Sequence, residues 1–377
     1  MFSSQQLLSF PFGIACNFMH YLAAVLLLPM AATSSYAPIL AGRASTMRTL
    51  VTTALQDDDL SVPGVLWLEH LNLVVGDEAK AFAFYRDLIG FVAEPGKSFH
   101  LNLGSQQLHL ESNVLPGGDH PATLLTGTVG LAVPSLEDLR SRCKAAQHAL
   151  SDSKFGFEDH GDSIALCCPW GNSFICHEAV AERSAPSGGA AAVPRMEAVH
   201  RGLDASMAVR GSPGIRYCSF RVRPGTAQRI GLFYEEMLGC SVTYTSAGDE
   251  CARARTATVA VGPSVHFVFV DEDMAPLSDQ EERWQAGPAG AGFGLHVCVY
   301  ISDFKHAYNR MHAKGLVWTN PRFSHLDRCD TYAEAVASRQ FRFRQIVDVE
   351  TGAPLLELEH EVRAQRHVQF FKRVKYP

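Results

Sequence analysis

The chain has 377 residues, more than one hydrophobic core usually holds, so two or three domains are expected. Its 47% hydrophobic and 19% charged residues exclude wholesale disorder, collagen and coiled coil. The formal charge of −6, from 33 basic and 39 acidic side chains, leaves no cationic field for a polyphosphate and argues against a nucleic-acid partner. The ten cysteines include no C-x-x-C pair and mostly lie in apolar runs, which reads as reduced core thiols of an intracellular protein rather than a disulfide framework.

Residues 1–60 form an N-terminal extension. No Lys, Arg, Asp or Glu precedes Arg43, and the apolar run Tyr21 to Met30 is shorter than the roughly 20 residues that span a bilayer. Followed by small residues from Ala31, the run suits the core of a signal peptide, but the basic segment that should precede it is missing. Two expectations therefore stand: a targeting segment to an organelle or the secretory route, or a cytoplasmic chain that begins in effect near Met47. Neither gives the mature domains a membrane partner.

From residue 64 the chain repeats itself. Ala83 to Phe91 (AFYRDLIGF) matches Leu232 to Cys240 (LFYEEMLGC) in size, polarity and glycine position. Each follows a strand pattern, Leu71 to Val75 and Cys218 to Val222, and reads as an amphipathic helix capped by a left-handed glycine. Strand–turn–strand patterns come next, Phe99 to Leu103 with Gln107 to Leu110, and Ala257 to Val261 with Val265 to Val270. Two further units open the same way. Gly127 to Val133 leads into a helix over Ser135 to Leu150, and Gly294 to Ile301 into one over Asp303 to Lys314. Each closes in a turn and strand, Cys168 to Cys176 and Asp348 to Glu359.

The fold class is therefore α+β, four βαβββ modules at about 64–113, 124–180, 214–273 and 292–363. Grouped in chain order they make two domains, 64–180 and 214–363, joined by an Ala/Gly/Ser/Pro-rich linker over 181–213 and followed by a tail over 364–377. Phe82, Tyr85 and Phe233 are expected in the core, and Trp170 with Asn172 in a turn.

An H-x-x-L-x-V opening (His70 to Val75) and a P-W-G-N turn (Pro169 to Asn172) within four such modules resemble the vicinal oxygen chelate superfamily of glyoxalase I, extradiol dioxygenases and bleomycin-resistance proteins. The resemblance implies two glyoxalase/dioxygenase-like domains and a metal held by the first and last strands of two paired modules. The first-strand positions, set by spacing to two apolar strand residues, are His70, Thr128, Tyr217 and His296. The last-strand positions are His109, Ile175, Phe267 or His266, and Glu357, with Glu359 as the alternative to Glu357. Modules one and four thus carry His70, His109, His296 and Glu357, while two and three carry mostly non-ligands. Pairing in chain order gives two half sites; pairing one with four gives one complete shell.

Such a shell suits one divalent ion among Zn, Ni, Co, Mn and Fe. The resemblance implies a small-molecule substrate and a glyoxalase-I-like lyase or isomerase acting on a 2-oxoaldehyde-derived or other vicinal-oxygen compound, with Glu357 as catalytic base and glutathione admitted as cosubstrate. An Fe(II) extradiol-type dioxygenase and a non-catalytic ligand-sequestering protein are the alternatives.

Overall fold

The computed structural model describes residues 64–104, 106–112, 122–179, 214–246, 255–262, 265–271 and 295–370. The 1–60 extension and the 181–213 linker lie outside the described residues, as do 371–377 of the tail.

The fold is α+β with two sheets. Module one supplies β1 (Val65–Val75), β2 (Val92–Glu94), β3 (Lys97–Leu103) and β4 (Gln106–Ser112). Module two supplies β5 (Gly127–Val133), β6 (Gly156–Asp159), β7 (Ser163–Cys167) and β8 (Ser173–Glu178). Module three has β9 (Gly214–Val222), β10 (Val242–Thr245), β11 (Thr256–Gly262) and β12 (Val265–Asp271). Module four has β13 (His296–Ile301), β14 (Gln340–Val347) and β15 (Pro354–Ala364).

One sheet runs β14-β15-β13-β1-β4-β3-β2 and the other β10-β11-β12-β9-β5-β8-β7-β6. Modules one and four therefore share a sheet through the antiparallel β1–β13 seam, and two and three through β5–β9. The helices join the modules the other way. Phe84 of the first module packs on Phe155 and Phe174 of the second, whose Arg142 Nε donates to Leu88 O at 2.6 Å. Phe233 of the third meets Phe343 of the fourth, and Arg310 Nε donates to Met237 O at 3.0 Å. Consecutive modules thus share helix contacts, sheets join one to four and two to three, and one buried apolar cluster runs through all four.

Both matched helices widen into π-turns, Phe82–Leu88 and Tyr234–Leu238, where a plain α-helix is expected. Each of these helices buries an adjacent aromatic pair, Phe84 with Tyr85 and Phe233 with Tyr234. Phe82 is only partly buried, against Phe99 and the Arg86 guanidinium. Gly239 takes the expected left-handed cap at φ 72°. Module four departs most: an additional helix, Tyr332–Ser338, with a Thr331/Glu334 capping box, precedes β14. The eight described cysteines are all free thiols. Among the described residues no helix is long and apolar enough to cross a membrane.

Asn172 holds its turn: its side chain accepts from Leu125 N at 2.7 Å and donates to Thr123 O at 2.8 Å. Asp348 does the corresponding work in module four, accepting from the backbone of Glu350 and Thr351 and pairing with Arg229 of module three. The Thr351 backbone N–H, with Thr351 Oγ1 and Arg229, holds the Asp348 carboxyl down at about 2. A carboxyl lowered on folding stabilises the native state above its unfolded pKa of about 3.9, and that contribution fades as pH falls through the folded value. Asp348→Asn is therefore expected to lower the unfolding temperature at pH 7 and to leave it close to wild type at pH 2. A deficit as large at pH 2 as at pH 7, by thermal melts across pH, contradicts the assignment.

Candidate metal centre

β1 is buried on both faces, so its polar residues have no solvent to turn to. Leu71, Leu73 and Val75 enter the apolar core, while His70 and Asn72 face a buried polar network. His70 Nε2 lies 3.2 Å from His296 Nε2 across the β1–β13 seam. Two donors about 3.0 Å apart are what cis positions on an octahedral ion require at bonds of about 2.1 Å.

Strand register finds the other positions. In the parallel β1–β4 pair Asn72, two residues beyond His70, aligns with His109. In the parallel β13–β15 pair Cys298, two beyond His296, aligns with Glu361. Glu361, not Glu357, is the counterpart of His109, and its carboxylate groups with His70 and His296 as a donor set spanning at most 4.8 Å. Glu357 lies four residues, about 13 Å of strand, further back. It is one-third exposed and paired with Arg344 Nη1 at 3.3 Å, outside the donor set of His70, His296 and Glu361 that the sequence reading expected it to join as ligand and base. Glu359, the alternative, aligns with His296 but accepts hydrogen bonds from Asn320 Nδ2 at 3.0 Å and Arg342 Nη1 at 2.9 Å instead.

His109 reaches the centre differently from His70. Its ring stacks between His70 and His100, 3.8 Å from each, while Nε2 contacts Gln107 Oε1 at 2.9 Å. The structure thus brings together His70, His296 and Glu361, with His109 stacked alongside. Burial, reinforced by His70, holds both His109 and His296 well below the usual histidine range, which keeps them neutral.

The same register places Thr128, Ile175, Tyr217 and Val268 in the other sheet. Val268 replaces the expected Phe267, a core residue, or His266. The Tyr217 ring lies over Gly130, where a Cβ would come within 2.1 Å of it.

Around the centre Arg342 binds Asp327, Glu359 and Glu361, and Arg363 binds Glu361 and Glu69. Against the burial that raises it, Glu361 is held well below the usual carboxylate range by Arg342 and Arg363. Glu69 is likewise held at about 2 by Arg363 and His70 against burial. Burial pushes Glu359 and Asp327 up. A divalent ion here would be held by His70, His296 and Glu361. The spacing of the donors and their chemistry, two imidazole nitrogens and a carboxylate, fit such an ion.

Residues 67–162 match the model of the Glyoxalase/Bleomycin resistance protein/Dioxygenase superfamily. Over that stretch the chain is similar to vicinal oxygen chelate proteins. Solved structures similar to this chain include glyoxalase I from Zea mays, 13% identical with a TM-score of 0.45, covering 79% of this chain and 92% of that one. Another is an extradiol ring-cleaving dioxygenase from B. fuscum, 15% identical with a TM-score of 0.26, covering 80% of this chain and 72% of that one. No curated protein matches the sequence.

Proposed function

We propose that this protein is a metal-dependent lyase or isomerase of the glyoxalase-I type, acting on a small substrate with two adjacent oxygens. The facing Nε2 atoms of His70 and His296, 3.2 Å apart beside Glu361, carry the reading. When bound there, a divalent ion supplies a Lewis acid that polarises both substrate oxygens. His109 stands at the fourth register position, its ring stacked on that of His70.

The proton chemistry falls to Glu359. Glu361, clamped by Arg342 and Arg363, is a fixed donor that cannot swing away as a base. Glu359 is anchored through Oε1 alone, by Asn320 and Arg342, and among the described residues its Oε2 accepts no hydrogen bond. That oxygen takes a proton from one substrate carbon and returns it to the neighbouring one, a role suited to a carboxyl raised by burial toward neutrality.

The test is elemental analysis of the purified full chain after loading with Zn, Ni, Co, Mn or Fe, beside His296→Ala. About one ion per wild-type chain and little in the variant is expected, with Glu359→Gln retaining metal but losing turnover of 2-oxoaldehyde thiol adducts. A wild type that takes up none of these ions leaves only the ligand-sequestering alternative.

A second reading has its own support. Three convergent ligands, two His and one carboxylate, are the set that suits an Fe(II) oxygenase. Consumption of dioxygen with a catechol, by Fe-loaded protein under air, would favour it over the first.

A further inference from the structure

We propose that Glu69 is the positioning residue of this centre, presenting His70 Nε2 to the ion and tying the ligand from module one to the ligand from module four. The inference rests on the metal reading above. β1 carries a bulge between Leu68 and His70: Leu68 pairs with Val299 and His70 with Cys298, so Glu69 is an extra residue with no partner on β13. Bulges of this kind re-aim side chains beside functional sites. Here the extra residue is a carboxylate only 2% exposed, a costly thing to bury without a task.

Two charged or ring nitrogens converge on one of its oxygens, with the Cys298 thiol also beside the carboxylate. Glu69 Oε2 accepts from His70 Nδ1 at 2.7 Å and from Arg363 Nη1 at 2.9 Å. An ionised carboxylate can only accept, so the proton of His70 stands on Nδ1 and the lone pair on Nε2, the nitrogen that faces His296. Carboxylate-to-histidine support of this form fixes ring orientation and raises ligand basicity at metal sites. Arg363 carries the tie onward, because its other terminal nitrogen binds Glu361. A chain of contacts, His70–Glu69–Arg363–Glu361, therefore links the ligand of module one to that of module four. Leu295 precedes His296, so module four has no counterpart.

Two measurements on the full chain test this. In a long-range 1H–15N correlation spectrum of metal-free, 15N-histidine-labelled protein, with His70 assigned by its loss in His70→Gln, the proton is expected on Nδ1. Zn2+ affinity by chelator competition is expected to fall about 10–100-fold in Glu69→Leu, the usual effect of removing such a partner. Glu69→Gln, which keeps an accepting oxygen, is expected to stay within about tenfold of wild type. A His70 proton on Nε2 overturns the proposal, as does a folded Glu69→Leu that binds Zn2+ like wild type. If Glu69→Leu fails to fold, the wild-type tautomer and Glu69→Gln decide. Wild type that binds no divalent ion defeats the metal reading instead, and the tautomer alone then judges whether Glu69 orients His70.

Discussion

Replacing Arg342 by Met is expected to cost about 3–5 kcal/mol of folding stability, the usual penalty for removing one partner of a buried ion pair. Arg342 is 3% exposed, its Nε and Nη2 reach Asp327 at 3.3 and 3.1 Å, and its Nη1 and Nη2 reach Glu359 and Glu361 at 2.9 and 2.6 Å. Its guanidinium also covers the Phe323 ring at 4.9 Å. Met matches the stem but leaves three carboxyls facing one another, with Arg363 as the remaining cation for Glu361 alone. Against a typical total of about 5–15 kcal/mol the loss is a large fraction. Arg344→Met is the control: its pair with Glu357 is over one-third exposed on the Arg side, and such pairs contribute about 0–1 kcal/mol. Equal losses for the two variants in denaturant unfolding would mean that the buried network is not what holds β14 to β15.

Module order, helix positions and capping glycines were legible because they rest on local rules. The helices expected over 135–150 and 303–314 form as Leu136–Ala149 and Phe304–Ala313. The choice of module partner was not legible, since β1 and β13 are both apolar and nothing local distinguishes the next module in the chain from the last. His70 and His296 could be located by spacing because their strands lack an irregularity between the histidine and the strand end. Glu361 was missed through the choice of anchor. Counting from the turn that starts β15 fails, because β15 has 11 residues and β4 only 7. Counting back from the ends works, His109 standing three before Ser112 and Glu361 three before Ala364, where β4 and β15 finish level with Val75 and Ile301. The run from Glu357 to Glu361 offers three carboxylates at period two on one face, so composition alone could not choose among them. Glu69 was invisible for a different reason: a bulge re-aims a residue that strict alternation would turn away.

The choice among those carboxylates carries the second large effect. Glu361→Gln is expected to weaken Zn2+ binding by more than the roughly 10–100-fold that loss of a supporting partner costs, because it removes a charged ligand rather than its support. Two further consequences compound the loss. The amide brings N–H groups against Arg342 and Arg363, which donate to the carboxylate now, and the network loses the negative charge that helps to attract the ion. Glu357→Gln, about 13 Å away along the strand, is expected to bind Zn2+ as wild type does. Competition titrations on the pair of variants separate the two positions cleanly, since both glutamines are isosteric with what they replace and neither removes packing volume. Should Glu357→Gln lose the ion while Glu361→Gln keeps it, β15 would have to sit four residues out of its register with β13. His296 would then align with Leu355, a buried apolar residue. The pairing of His296 with Glu359 and of Cys298 with Glu361 keeps every charged residue of the run on the polar face and Leu358 and Val362 in the core. A slipped register that preserved this alternation would still draw Arg363 away from Glu69 on β1, and the cost of that separation is why we assign the ligand to Glu361.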